Sequence, residues 1–110
     1  MTNNEFFTTA YAPYQEENMT KGTARVRLNI IENYLLRDHG EDSPADISSS
    51  IISSIYDGME DAGLAQNTIF GTSAALRSFF KMAVEYGEAF GNPVEDARKI
   101  RPELGRTTSL

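Results

Sequence analysis

The chain has no cysteine and no tryptophan, one histidine, and four prolines in 110 residues. Lacking any thiol, it cannot form disulfides, thiol nucleophiles or cysteine zinc sites, and one imidazole is thin material for a catalytic triad. Long apolar runs are missing too. No stretch approaches the roughly 18 residues of a membrane span, and the opening MTNNEFF has neither the basic start nor the apolar centre of a signal peptide. The expectation is a soluble, cytoplasmic protein without membrane contact.

Basic charge is also scarce overall, since the formal net charge is −6. Taken alone that argues against a nucleic-acid partner, whose phosphates call for a positive surface. The distribution softens the objection. Residues 20–37 carry Lys21, Arg25, Arg27 and Arg37 against Glu32 alone, and residues 66–87 carry Arg77 and Lys81 against Glu85. The acids concentrate instead in residues 38–65, which hold seven of them and no base.

What the chain has is helical periodicity, with no convincing alternation of the strand kind. A domain of this length buries roughly 60% of its unfolded surface without a metal or disulfide staple. Residues 5–12 place Phe7, Ala10 and Tyr11 on one side, and Pro13 should end that short helix, which is expected to act as a lid. A second helix, 21–37, has Thr20 as its cap and Ala24, Leu28, Ile31 and Leu35 as its core stripe, widened by Ile30 and Tyr34. Ser43-Pro44-Ala45-Asp46 has the form of a capping box opening a third helix, which should bury Ile47, Ile51, Ile55, Met59 and Ala62 before Gly63 stops it. In the long fourth helix Ile69, Thr72, Leu76, Phe79, Phe80 and Ala83 share one face, and Gly87 is its stop. Asn92-Pro93 starts a last helix to about Lys99. The fold class is therefore all-α, a compact bundle of four to five crossed helices over residues 1–102, with the polar tail 103–110 as a linker.

The candidate chemistry is sparse. His39 lies between acids in Asp38-His39-Gly40-Glu41 and reads as a solvated residue, while Ser48, Ser49, Ser50, Ser53 and Ser54 lie largely on the polar side of their helix. Neither Glu41, Asp42 and Asp46 nor Asp57, Glu60 and Asp61 has the spacing of a calcium loop, so no metal or cofactor is expected. Two helix faces stand out. Arg and Lys neutralise phosphates, and Arg, Asn and Gln can contact base edges, so a face grouping them can both anchor and read DNA. Lys21, Arg25, Asn29 and Asn33 make one such face. Phe70, Ala74, Arg77 and Lys81 make the other, with Gln66, Asn67 and Thr68 at the N-terminus of its helix, where free amides favour a phosphate. Solvated helix faces of ordinary kind would look the same, and Phe70 is more often a packing residue.

The spacing Leu64-Ala65-Gln66-Asn67-Thr68-Ile69, Leu76-Arg77-Ser78-Phe79-Phe80, Ala83, Gly87 and Asn92-Pro93 resembles the final helices of the core-binding domain of tyrosine recombinases, the phage-integrase family. The resemblance implies a SAM-like fold and a prokaryotic or phage origin. It also implies a role: clamping double-stranded DNA from the side opposite a catalytic domain, for DNA integration and recombination. Matching positions carry DNA contact to Thr20, Lys21 and Arg25 on one helix and to Gln66, Asn67, Thr68, Arg77 and Lys81 on the other. Ala65 departs from the family's serine cap, leaving Asn67 or water for the first amides, and the acidity implies weak affinity for this domain alone. The family's nucleophilic tyrosine belongs to a C-terminal domain that this chain is expected to end before. Tyr11, Tyr14, Tyr34, Tyr56 and Tyr86 stand near no His-x-x-Arg motif. No enzyme activity is thus expected of this part, whose partners would be DNA, the catalytic domain and other protomers of a recombination tetramer. The alternative is a freestanding SAM-like module that binds protein through its acidic third helix; a small hydrolase built on His39 is a third, weaker reading.

Overall fold

The computed structural model describes residues 1–102, so the expected linker at 103–110 lies outside the described residues. Five helices form there, and no strand. The first, α1, spans residues 3–18 as α-helical Asn3–Phe6, a wider π-helical turn Phe7–Tyr11, and α-helical Ala12–Asn18. Thr2 opens it with a capping box, its hydroxyl accepting from the Glu5 amide at 3.1 Å while Glu5 accepts from the Thr2 amide at 2.8 Å.

The expected stop at Pro13 is therefore wrong. Proline lacks the amide that would bond four residues back, and its ring crowds the carbonyl there. The π-helical turn just before it spaces the backbone more widely, with the Ala12 amide reaching back to the Phe7 carbonyl, and the helix continues past the proline. Nor is α1 a lid: Phe6, Phe7 and Tyr11 are buried, and Phe6 and Tyr11 meet the Phe79 ring edge-on at 5.4 and 5.2 Å. The Tyr11 hydroxyl shares a 2.6 Å hydrogen bond with Ser78, which fixes α1 to the long helix.

The second helix, α2, covers residues 21–39 as Lys21–Ile31, a second π-helical turn Glu32–Leu36, and Arg37–His39. Thr20 caps it as expected, accepting from the Thr23 amide at 3.3 Å. Ala24, Ile31 and Leu35 are buried and Leu28, Ile30 and Tyr34 pack against them, so this stripe was read correctly. His39 belongs to the helix end rather than a free loop. Its Nδ1 lies 3.0 Å from Asp42 Oδ2, and its carbonyl accepts from Asn3 Nδ2 at 2.9 Å. The start of α1 is clasped here, with the Asn3 and Asn4 amides donating to the carbonyls of Asp42 and Gly40 at 2.7 and 2.9 Å. Gly40 allows this approach, because a Cβ on it would sit 2.6 Å from the Asn4 side chain.

The third helix departs most from expectation. Pro44–Asp46 is an isolated 3₁₀ turn, within which the Ser43 hydroxyl donates to Asp46 Oδ2 at 3.0 Å instead of capping an amide. Helix α3 is Ser49–Asp61, capped by Ser48, whose hydroxyl accepts from the Ile51 amide at 3.3 Å. Ile52, Tyr56 and Met59 form its buried face; Ile51 and Ile55 are only half-buried and Ala62 is exposed. Ile47 and Met59 are buried as expected, but Ile52 and Tyr56 take the inward places expected of Ile51 and Ile55, since a tyrosine ring is buried as readily as other aromatics.

Helices α4, Gln66–Glu85, and α5, Pro93–Asp96, complete the chain. Ile69, Thr72, Leu76, Phe79, Phe80 and Ala83 are all buried along α4, each of the larger apolar side chains contributing about 1.5–3 kcal/mol against exposure. Gly63 and Gly87 take φ of +81° and +77°, turning the chain so that the Leu64 and Glu88 amides close back on Met59 and Ala83 at 3.1 and 2.8 Å. Asn92 caps α5 as expected, accepting from the Val94 amide at 3.0 Å, but that helix ends at Asp96, short of Lys99. The result is a compact all-α globule with α4 at its centre.

Candidate nucleic-acid interface

The N-terminal turns of α2 present Lys21, Arg25 and Asn29 on one exposed row, spaced by four residues so that they stack along the helix. The buried Ala24 and Ile31 lie roughly a quarter to a third of a turn round the helix, so the exposed row stands beside the core face. Neither Lys21 nor Arg25 has an ion-pair partner among the described residues. Thr20 is committed to its cap and also bonds the Thr23 hydroxyl at 3.0 Å. The row borders a groove of about 630 Å³ against α1, and Glu16 and Glu32 border it too. Arg27 is turned inward, donating to the buried Gln15 at 3.1 Å.

The second expected face is less uniform. Gln66 donates to the Arg101 carbonyl at 3.1 Å, so it ties α4 to the end of the described chain rather than standing free. Asn67 and Thr68 are exposed in the first turn, and Ala65 supplies no side-chain cap, as its identity requires. Lys81 is exposed and has no ion-pair partner among the described residues. Arg77 is different. Its guanidinium pairs with Glu95 of α5, and its carbonyl accepts from Asn92 Nδ2 at 3.1 Å.

Beside Arg77 lies a basic cluster that the sequence did not reveal. Arg98 pairs with Asp57 at 3.3 Å and Glu60 at 3.1 Å, and its amide donates to the Ser53 hydroxyl at 3.0 Å. Lys99 Nζ reaches the Glu95 carbonyl at 2.6 Å. Arg77, Arg98 and Lys99 line a recess of about 160 Å³ together with Ser73 and Tyr56. Both arginines arrive there by tertiary contact, Arg98 from beyond a four-residue helix, so no periodicity marked it. The ring of Tyr56 is fully buried, and its hydroxyl makes no hydrogen bond of good geometry among the described residues although Ser73 lies beside it. Burial pushes this phenol up; Ser73, Arg77 and Arg98 oppose the rise in that order. Tyr11 is raised by burial as well, against its bond to Ser78 and the charge of Arg27.

The two expected faces stay apart, and Thr20, Gln66, Asn67, Thr68 and Lys81 line neither of the grooves that hold the other expected DNA contacts. Lys21, Arg25 and Asn29 share the α1–α2 groove, while Arg77 joins the recess between α3, α4 and α5. A third groove, of about 840 Å³ between α2 and α3, is lined by the half-buried Ile51 and Ile55 with Leu64, Tyr34, Arg37 and His39. No helix among the described residues is long and apolar enough to cross a membrane. Compared with the sequence patterns of known families, with curated proteins and with solved structures, the chain matches none.

Proposed function

We propose that this chain is the SAM-like core-binding domain of a tyrosine recombinase, holding double-stranded DNA for a catalytic domain of the same protein. The observation that carries the reading is the α2 row, in which Lys21 and Arg25 stand exposed one helical turn apart with no ion-pair partner among the described residues. Unpaired cations neutralise phosphates without first giving up a protein partner, and Asn29 one turn on can reach a base edge. The domain positions the duplex; cutting and rejoining through a 3′-phosphotyrosyl link belong to the catalytic domain, with other protomers of a tetramer as further partners.

Titration of a labelled duplex with the chain at two salt concentrations tests this. Binding is expected with a dissociation constant on the order of 10⁻⁴ to 10⁻⁶ M at physiological salt, tightening as salt falls. Absence of binding even at low salt overturns it. A second reading, a protein-interaction module, draws on the mixed α2–α3 groove with its half-buried Ile51 and Ile55 and on Phe90, which is 99% exposed in the loop before α5. Retained DNA affinity after Arg25→Glu would favour that reading.

A further inference from the structure

We propose that the recess between α3, α4 and α5 is a binding site for a single phosphate-class oxyanion, received by the Tyr56 hydroxyl, Ser73 and the cations Arg77, Arg98 and Lys99. The argument begins with the phenol. A buried hydroxyl without a partner gives up its hydration for nothing in return, and native interiors rarely tolerate that without a reason. Tyr56 is fully buried, yet it is one of the residues that line the recess, and both guanidiniums are close enough to act on its ionisation. An acceptor entering the recess would satisfy it.

Size and charge narrow the acceptor. At about 160 Å³ the recess has room for a tetrahedral oxyanion. Every ionisable lining residue other than the phenol is cationic. Arg77 and Arg98 are held by Glu95, Asp57 and Glu60, whose side chains are 57%, 64% and 43% exposed, so these carboxylates can swing into water when an anion replaces them. Lys99 Nζ bonds a carbonyl and has no ion-pair partner among the described residues. Tyr56, Ser73 and Lys99 would donate to the oxyanion, and an arginine could take two of its oxygens in parallel. The site does not depend on the DNA reading, since a free phosphate and a backbone phosphate present the same oxygens.

Thermal melts of the chain in sodium phosphate and in sodium chloride at matched pH and ionic strength test the site. The parent melting temperature should rise by about 5 °C at tenfold excess over the dissociation constant. Phosphate also stabilises proteins generally by exclusion from their surfaces. Tyr56→Phe separates the two effects: it keeps the buried ring, folds without the orphaned hydroxyl, and should lose most of the specific rise. Lys99→Ala, a change at an exposed side chain, should lose it too. Duplex titrations distinguish the source. Weakening of DNA binding several-fold by Tyr56→Phe assigns a backbone phosphate, and an unchanged DNA affinity with a lost phosphate response assigns a free one. Equal phosphate responses in parent and both variants, with unchanged DNA affinity, overturn the proposal.

Discussion

The two basic faces of the molecule are built on opposite plans. On α2, Lys21 and Arg25 have no ion-pair partners among the described residues; on α4 and the segment after α5, Arg77 and Arg98 are each held by carboxylates. The free pair is ready for a ligand but loosely oriented, since long side chains in water keep their rotamer freedom. The held pair is oriented in advance, yet a ligand must displace Glu95, Asp57 or Glu60 to reach it. Count and type of basic residues are similar, so it is the placement of acids that sets the two apart.

Both faces ride on one core, and the strongest way to break the comparison is to remove that support. Phe79→Ala should cost about 3–5 kcal/mol in a denaturant melt, because the ring joins α4 to Phe6 and Tyr11 of α1. A loss below about 1 kcal/mol would mean the core closes the gap and the two faces are less dependent on it than described. Next in size, Arg25→Glu should weaken duplex binding on the order of tenfold at low salt, about 1.4 kcal/mol, with an unchanged melt. Arg77→Glu should weaken it less, since Glu95 already offsets that charge. Equal losses would erase the distinction between free and held cations.

Glu95→Gln sharpens the contrast from the other side. Freeing Arg77 should tighten duplex binding roughly threefold while costing well under about 1 kcal/mol of stability, as exposed pairs do. No gain in affinity would show that Arg77 does not face the duplex. The smallest effect concerns pH. Burial raises Tyr56 and Tyr11 above their ordinary value of 10.0, so the folded chain holds those protons more tightly than the unfolded one. Their contribution is full below about pH 10 and is lost as pH rises through the folded values. Tyr56→Phe should flatten that alkaline decline in a pH series of melts, and an unaltered decline would assign it elsewhere.

Local signals were legible in the sequence and distant ones were not. Thr20, Gly63, Gly87 and Asn92 each act within a few residues of their own position, and each does what its type suggests. The α2 and α4 stripes were equally plain, because one apolar face leaves no choice of side. On α3 the expected Ile51, Ile55, Met59 stripe and the observed Ile52, Tyr56, Met59 line share Met59, and only packing against the rest of the core decides between them. Pro13 misled because its effect depends on the turn before it. Among candidate site residues, exposure of Lys21, Arg25 and Lys81 followed from their helix faces. The Gln66 tie to Arg101 and the Arg77 pair with Glu95 join residues far apart in sequence, where spacing carries no information.

The two π-helical turns bear on how this chain tolerates changes in length. An α-helix advances about 100° per residue, so losing one residue from the middle of α4 would swing half of its buried face toward water. A turn whose amide bonds reach back five residues already contains one residue more than an α turn needs. Deleting Glu32 or Asn33, both exposed within Glu32–Leu36, should restore ordinary helical spacing and leave the flanking faces nearly in place, whereas the same deletion within Phe7–Tyr11 would return the Pro13 ring to the carbonyl four residues back. A single-residue deletion scan scored by folded yield would show tolerance peaking at Glu32–Leu36 and collapsing along α4; a flat profile would deny that turn its role. Such a turn is where a lineage of this fold could lengthen or shorten by one residue while its core stays in register.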